Sequence, residues 1–264
     1  PYSDYGGGSF FRNKDRDSFS GLLPSLVKFG TQKHCYRISV RRALFDDIIG
    51  ANFDMPFSVE ANNCSFIISL KGGLEEIFGR LRKSRRRAVN RAKKRGATVR
   101  EAETLEDIET YYEIYSKNMR RLKSSSIPFQ FFKYLWNEFR PKGEMKIFLA
   151  EHDNKVIAGV LRFVHKKVIY AWGAASLSEY WNLKPMDLLD WHSIKWGFEH
   201  NFNSFDFGTT SNDPTSGNYI FKESWGGEKK VLYNYDIILQ PNKWKVYSFA
   251  NNLVNILSDL RAKL

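Results

Sequence analysis

Sulfur and metal chemistry have almost no foothold in this sequence. Cys35 and Cys64 are the only cysteines, too few for a disulfide framework and too far apart for a zinc-binding pair, so a reducing, cytoplasmic setting is expected. His34, His152, His165, His192 and His200 show no His-x-x-x-His spacing, and no metal site is expected. A Gly-x-Ser-x-Gly elbow is lacking, which excludes that class of serine hydrolase. Asp206-Phe207-Gly208 stands without a kinase Gly-rich loop or His-Arg-Asp loop, which excludes a kinase reading. Apolar runs fall short of the roughly 18 residues of a membrane span, and nothing at the start reads as a leader segment. The chain opens on Pro1, without an initiator methionine, and on a turn-like Asp4-Tyr5-Gly6-Gly7-Gly8, which reads as a fragment or a processed start.

What is present argues for a folded, basic protein. Apolar residues make up 42% and aromatics 16% of 264 residues, enough for a sizeable core in one large domain or two smaller ones. Lys and Arg number 41 against 29 Asp and Glu, a formal net charge of +12. That excess has an address. Arg80, Arg82, Lys83, Arg85, Arg86, Arg87, Arg91, Lys93, Lys94 and Arg95 place ten cations and no anion in one short stretch. Removing them from the 41 leaves 31 basic residues against 29 acidic.

Leu74, Ile77, Phe78, Leu81, Ala88 and Ala92 recur there at helical steps. Residues 75–95 are therefore predicted to form one amphipathic helix with its cations outward. Solvated helices ordinarily interleave Glu with Lys or Arg, whereas like charges at i,i+4 cost roughly 0.2–0.5 kcal/mol per pair. The pattern points to an anionic partner: RNA, a nucleotide or phosphorylated substrate, or an anionic membrane surface approached peripherally.

The remaining order is regular. Strands are expected at 36–40 and 65–70, then near Val99. Thr104-Leu105-Glu106-Asp107 is a capping-box-like start to a helix with the stripe Leu105, Ile108, Tyr112, Tyr115, Met119 and Leu122. Pro128 opens another helix with Phe132, Leu135 and Phe139 on one face. Residues 145–151, 155–164 and 167–173 read as an antiparallel meander joined by Asp153-Asn154 and His165-Lys166. Pro185 opens a further helix, 204–207 and 231–239 read as strands, and a last helix after Pro241 is expected to present Val246, Ala250, Leu253, Ile256 and Leu260 inward. The fold class is α/β (α+β), with a largely antiparallel sheet.

The basic stretch Leu81-Arg-Lys-Ser-Arg-Arg-Arg-Ala-Val-Asn-Arg-Ala-Lys-Lys-Arg-Gly96, the strand 170–176 (Tyr-Ala-Trp-Gly-Ala-Ala-Ser), Phe205-Asp206-Phe207-Gly208, and Phe221-Lys222 before Trp225-Gly226-Gly227 resemble, in that order, the Fem-like GNAT-fold acyltransferases. These include the FemABX peptidoglycan-bridge aminoacyltransferases. The resemblance implies a tandem GNAT plan with a mixed, largely antiparallel sheet flanked by helices and an incomplete first domain. Residues 1–96, with the basic helix 75–95, would be the remainder of that degenerate first domain. Residues 97–235 would be the complete second domain, and 236–264 a strand end and helix returning to the first.

It also implies transfer of an aminoacyl group from aminoacyl-tRNA, or an acyl group from acyl-CoA, to an amine of a cell-envelope, peptidoglycan or polysaccharide precursor. No tightly bound cofactor is implied. An acetyl-CoA enzyme cradles pyrophosphate on a glycine-rich loop at a helix N-terminus. Residues 174–184 contain no glycine, which favours tRNA.

At the position of the family's Phe-Lys, Lys222 is the leading catalytic candidate, as oxyanion stabiliser or donor orienter. Tyr219 is a candidate proton donor, and Asp206 a candidate base or orienter, with turn capping before Gly208 as the alternative. Trp172, Tyr180 and Asn182, with neighbouring Trp181, stand where a donor would bind, and Arg85, Arg86 and Lys94 are candidate donor contacts. Arg120, Arg121, Asp4 and Tyr5 are candidate acceptor contacts. The competing reading is a non-catalytic basic module that binds RNA or an anionic surface through Arg80 to Arg95.

Overall fold

A computed structural model describes residues 16–43, 57–250 and 253. In chain order its elements are α1 (Arg16–Gln32), β1 (Arg37–Ala43), β2 (Phe57–Ser69), α2 (Leu74–Arg80), α3 (Lys83–Lys94), β3 (Thr98–Glu101), α4 (Leu105–Arg121), α5 (Phe129–Phe139), β4 (Met145–His152), β5 (Lys155–His165), β6 (Val168–Ser176), a 3-10 turn (Ser178–Leu183), α6 (Pro185–Glu199), β7 (Ser204–Asp206), β8 (Thr210–Ser211), α7 (Gly217–Glu223) and β9 (Glu228–Ile238). A last helix covers 241–250. The chain divides into two compact units, Ser65–Lys230 and Pro1–Cys64 with Val231–Leu264. The basic stretch falls in the first of these, with the meander.

In the smaller unit β1 runs antiparallel to β9, from Arg37 opposite Ile238 to Ala43 opposite Tyr233. Asp236 accepts from Ser39 Oγ and from Arg37 Nη1, and the Arg37 guanidinium lies 4.4 Å from the Trp244 ring centroid. Trp244 in turn stacks on Tyr36 and Tyr247. The stripe expected for the last helix differs from what it buries. Val246, Ala250 and Leu253 are exposed, the inward contact is made by aromatic rings, and Ile256 and Leu260 lie outside the described residues.

The larger unit is organised by its sheet. β3, β4, β5 and β6 form an antiparallel meander. β6 then pairs in parallel with β7, and β7 pairs antiparallel with the end of β2. A parallel pair needs a crossover, and α6 supplies it. Successive β4 residues divide between the two sheet faces, as strand geometry requires. Met145, Ile147 and Leu149 join Ile108, Tyr111, Phe132 and Leu135 beneath α4 and α5. Phe148 and Ala150 join Val160 and Leu189 on the other face. Burial on both faces explains why β4 and β5 read as near-continuous apolar runs.

Two glycines set how closely α4 approaches this sheet. A Cβ on Gly159 would fall 2.6 Å from the Tyr111 ring, and one on Gly173 2.6 Å from the Tyr111 hydroxyl. The Tyr111 ring therefore occupies a slot that any larger side chain would fill. Its hydroxyl is buried without a hydrogen-bond partner, and burial pushes its ionisation well above the ordinary tyrosine range.

Two helical expectations are corrected. Residues 75–95 are not one helix: Leu81 and Arg82 are extended, at ψ 142° and 145°. Leu81 is buried there, and Arg82 N–H bonds to the Ser224 carbonyl at 3.0 Å. The break lets α2 bury Ile77 while α3 turns Ala88, Val89 and Ala92 inward. The inner face of α4 is also rotated: Ile108, Tyr111 and Ile114 are buried, while Leu105 and Leu122 are exposed.

The capping box at the start of α4 is present. Asp107 N–H donates to Thr104 Oγ1, and Asp107 Oδ2 accepts from the N–H groups of Thr104 and Glu103. Arg100 bridges Asp107 Oδ1 at 2.7 Å and Glu151 Oε1 at 2.6 Å. Burial opposes ionisation of Asp107, but the donors from Arg100, Glu103 and Thr104 outweigh it and hold the carboxyl down to about 2. A depressed folded-state pKa stabilises above the unfolded value near 3.8, and that stabilisation is lost as pH falls towards 2. We predict that Asp107→Asn lowers stability at pH 7 by about 1–2 kcal/mol, discounted because Arg100 is partly exposed. Urea titrations at pH 2 to 7 should show a smaller loss between pH 4 and 2 in the variant. An unchanged profile is the contrary result.

Candidate functional site

The site begins where two strands part. β6 and β7 pair through only three positions, Val168 with Ser204, Ile169 with Phe205 and Tyr170 with Asp206. β7 then stops while β6 continues to Ser176. A register shift in β5/β6 at Leu161/Arg162, with Leu161 opposite Gly173 and Arg162 opposite Ala171, makes Trp172 the extra residue of a bulge. Bulges increase local twist and re-aim side chains. Past the end of β7 lies a cleft of about 400 Å³, walled by Ala174 to Ser176 of β6, Pro185 to Asp187 of α6, Arg85, Asn118, Arg121, Trp181, Lys184 and Phe221. That volume suits a small ligand or the reactive end of a larger one.

The N-terminus of α6 forms one wall, and its first turn carries the carboxylate of Asp187. Lys184 is the N-cap in a left-handed conformation, φ 61°, and Pro185 follows at the first helical position, where its missing N–H costs nothing. Asp187 in the first turn accepts a bond from Arg85 Nη1 at 2.5 Å. Burial raises the Asp187 pKa, against the pull of Arg85 and Lys184. Arg85 also sits 5.0 Å over the Phe221 ring. At the other wall the Arg121 guanidinium lies 4.8 Å over the exposed Trp181 ring.

Behind the cleft is a buried ion pair. Arg162 donates to Asp190 and, through Nε, to Ser193 Oγ at 3.1 Å. Both charged partners are almost wholly buried. Desolvation pushes the Asp190 carboxyl up to about 6 despite Arg162, with Asp187 adding to the rise, and the same burial lowers the Arg162 pKa. Lys222 contributes an opposing positive field at Asp190. Lys222 Nζ donates to the carbonyls of Gly208 and Thr209, at 3.0 and 2.9 Å, so its ammonium is anchored where β7 ends.

The sequence candidates separate accordingly. Arg85 and Arg121 are brought together in the cleft wall, with Trp181 and with Phe221, the neighbour of Lys222. Asp206 is buried, accepting from Ser65 Oγ and from Gly208 N–H, and so holds the turn at the end of β7. Tyr219 is buried with its ring edge-on to Phe66 at 5.0 Å and Lys229 above it. Trp172 packs among Phe131, Phe132 and Phe163, away from the cleft.

Tyr180 meets Lys155 by ring and hydroxyl, and the Asn182 carbonyl accepts from Arg95. Arg86 bonds to the Gly79 carbonyl. Lys94 and Arg120 are exposed outside the cleft wall, and Asp4 and Tyr5 lie outside the described residues. Asp187, Asp190 and Arg162 were not singled out from sequence. Their signal was there: two carboxylates three apart on an apolar helix, and one arginine inside Val160-Leu161-Arg162-Phe163-Val164.

A family model described as an acetyltransferase (GNAT) domain matches residues 79–223. The lipid II:glycine glycyltransferase of Staphylococcus haemolyticus is 32% identical over 110 residues, 38% of this chain and 26% of that protein. That of Staphylococcus saprophyticus is 31% identical over 111 residues, 40% of this chain and 26% of that protein. The chain thus matches about a quarter of the length of these relatives. Among solved structures, FemX superposes with a TM-score of 0.72 at 16% identity, covering 90% of this chain and 81% of that one. The C-terminal domain of a putative lysylphosphatidylglycerol synthetase from Agrobacterium fabrum gives 0.61 at 14%, covering 90% and 78%. At such identities these superpositions speak to fold alone: a mixed, largely antiparallel sheet flanked by helices.

Asp190→Asn should destabilise the protein by about 3–5 kcal/mol, because it strands the Arg162 charge in the interior. The double variant Arg162→Met with Asp190→Leu should recover most of that loss. Denaturant midpoints of the three variants test this. Equal stability of Asp190→Asn and wild type is the result that contradicts it.

Proposed function

Because the chain belongs to the acetyltransferase (GNAT) domain family, we propose that it is a Fem-like acyltransferase that passes an aminoacyl group from aminoacyl-tRNA to an amine of a peptidoglycan precursor. The relatives named as lipid II:glycine glycyltransferases support the acceptor class. One observation carries the donor preference: the first turn of α6 presents the carboxylate of Asp187, paired with Arg85, to the cleft. A coenzyme A pyrophosphate needs bare amides and no competing carboxylate at that place.

The step is an aminolysis. The acceptor amine attacks the ester carbonyl carbon, the carbonyl becomes an oxyanion, and the carbon–oxygen bond to the carrier breaks as the amine's proton passes to the leaving oxygen. The cleft past β7 holds the ester, and Lys222 sets a positive charge beside the open strand end, where negative charge develops. Asp206 and Gly208 keep that strand end in place.

The basic stretch supplies the carrier's footing. Arg82 pairs with Glu223, Arg85 with Asp187, Arg86 with the Gly79 carbonyl and Arg95 with Asn182. Lys83, Arg87, Arg91 and Lys94 are all exposed and recur every three or four residues, so they share the outer face of α3. A row of cations on one helix face suits phosphates along an RNA strand.

We predict that Lys222→Ala slows transfer at least about 100-fold while binding of a charged-tRNA minihelix changes less than about twofold. Reversing Lys83, Arg87 and Lys94 to Glu should weaken minihelix binding and reduce its log–log salt slope by about 2–3. The assay offers charged tRNA and acyl-CoA side by side with amine-bearing precursors, with products read by mass spectrometry. Transfer by Lys222→Ala at the wild-type rate overturns the role of Lys222. Tight minihelix binding with no transfer from either donor overturns the enzyme and leaves the basic module.

A further inference from the structure

We propose that Trp181 and Arg121 form a stacking site at the cleft mouth for the terminal adenosine phosphate of the donor. The inference rests on the reading of the cleft as the donor site. Trp181 is 45% exposed, whereas the tryptophans of the core, such as Trp225 at 0%, are fully enclosed. An exposed indole ordinarily turns freely, but this one is fixed twice. Its Nε1 donates to Ser176 Oγ at 2.9 Å, which ties it to the last residue of β6, and the Arg121 guanidinium lies over the ring at 4.8 Å. Arg121 is itself held, donating through Nη2 to Asn118 Oδ1 at 2.9 Å. A planar aromatic and a planar cation are thus set in place at the mouth before any ligand arrives.

Charge narrows the ligand. Arg85, Arg121 and Lys184 share the cleft wall with one acid, Asp187, and Arg85 is bonded to it. The excess is cationic on the Trp181 side, which suits a base on the indole with its phosphate towards Arg121 and Lys184. Stacking on an aromatic is tolerant of base identity but strongest for the larger purine surface. The backbone of β6 runs from this platform into the cleft, so a base held at Trp181 places the remainder of its chain along Ala174 to Ser176. A tRNA 3′ end and coenzyme A both carry an adenosine phosphate, and the test separates them.

Equilibrium binding, read without turnover, should use two probe pairs on wild type, Trp181→Ala and Trp181→Phe. One pair is an RNA minihelix ending in single-stranded CCA against the same RNA ending in CC. The other is coenzyme A against 4′-phosphopantetheine. The expected result is an adenosine preference of about tenfold in wild type, lost in Trp181→Ala and largely kept in Trp181→Phe. Its appearance in the RNA pair names tRNA as the source, and its appearance in the coenzyme pair names acyl-CoA. An adenosine preference absent from both pairs, or present and undiminished in Trp181→Ala, overturns the proposal. Because Trp181 is exposed, unfolding midpoints should match wild type and show that the variant is folded. Failure of transfer chemistry leaves these binding ratios untouched, so the two readings fail separately.

Discussion

A strand that outruns its neighbour inside a sheet must be given something else to face, and β6 is that strand. Its parallel partner stops opposite Tyr170. The surroundings follow from that stop. Asp206 and Gly208, at φ 69°, turn the chain away at the end of β7. Lys222 clasps the two carbonyls that follow, and α6 leaves the far end of β6 through a 3-10 turn to complete the opposite wall. An internal opening beside a strand is ordinarily a liability. Here backbone of β6 and a cationic wall meet a cavity large enough for a substrate group.

Such an opening needs a stiff rear wall, and the Arg162, Asp190 and Ser193 cluster occupies it. Burying that pair costs more in desolvation than a pair of apolar side chains would, as the raised Asp190 and lowered Arg162 pKa values indicate. The hydrogen bonds compensate by joining β5 to α6 at a defined register. Asp187, one turn earlier on α6, is bound on the cleft side by Arg85. The two carboxylates thus anchor α6 from front and back, to α3 and to the sheet.

Much of this was legible in the residues. The meander was readable because turn residues interrupt apolar runs, and Asp153 and Asn154 do adopt positive φ. The start of α6 was marked by Pro185, and that of α4 by Thr104 and Asp107. The break at Leu81 was not readable: the apolar spacing continues through it, and the acceptor of the Arg82 N–H is a carbonyl more than 140 residues away in sequence. The site was half legible for the same reason. Composition shows that α3 is basic, but only the packing shows that Arg85 faces a carboxylate while Lys83, Arg87 and Lys94 face solvent. Asp206 and Tyr219 carry reactive groups, and only the packing shows that both are buried, one at the turn after β7 and the other against Phe66.

The slot that receives Tyr111 has a reach beyond its own surroundings. Arg121, at the mouth of the cleft, lies ten residues further along the same helix, about 15 Å away at the rise of an α-helix. Seated also through Ile108 and Ile114, the helix acts as a rod held along its length, so the height at which Arg121 meets Trp181 depends on the close approach that Gly159 and Gly173 allow. The calibration of the opening is therefore stored in the interior, in positions that no substrate touches.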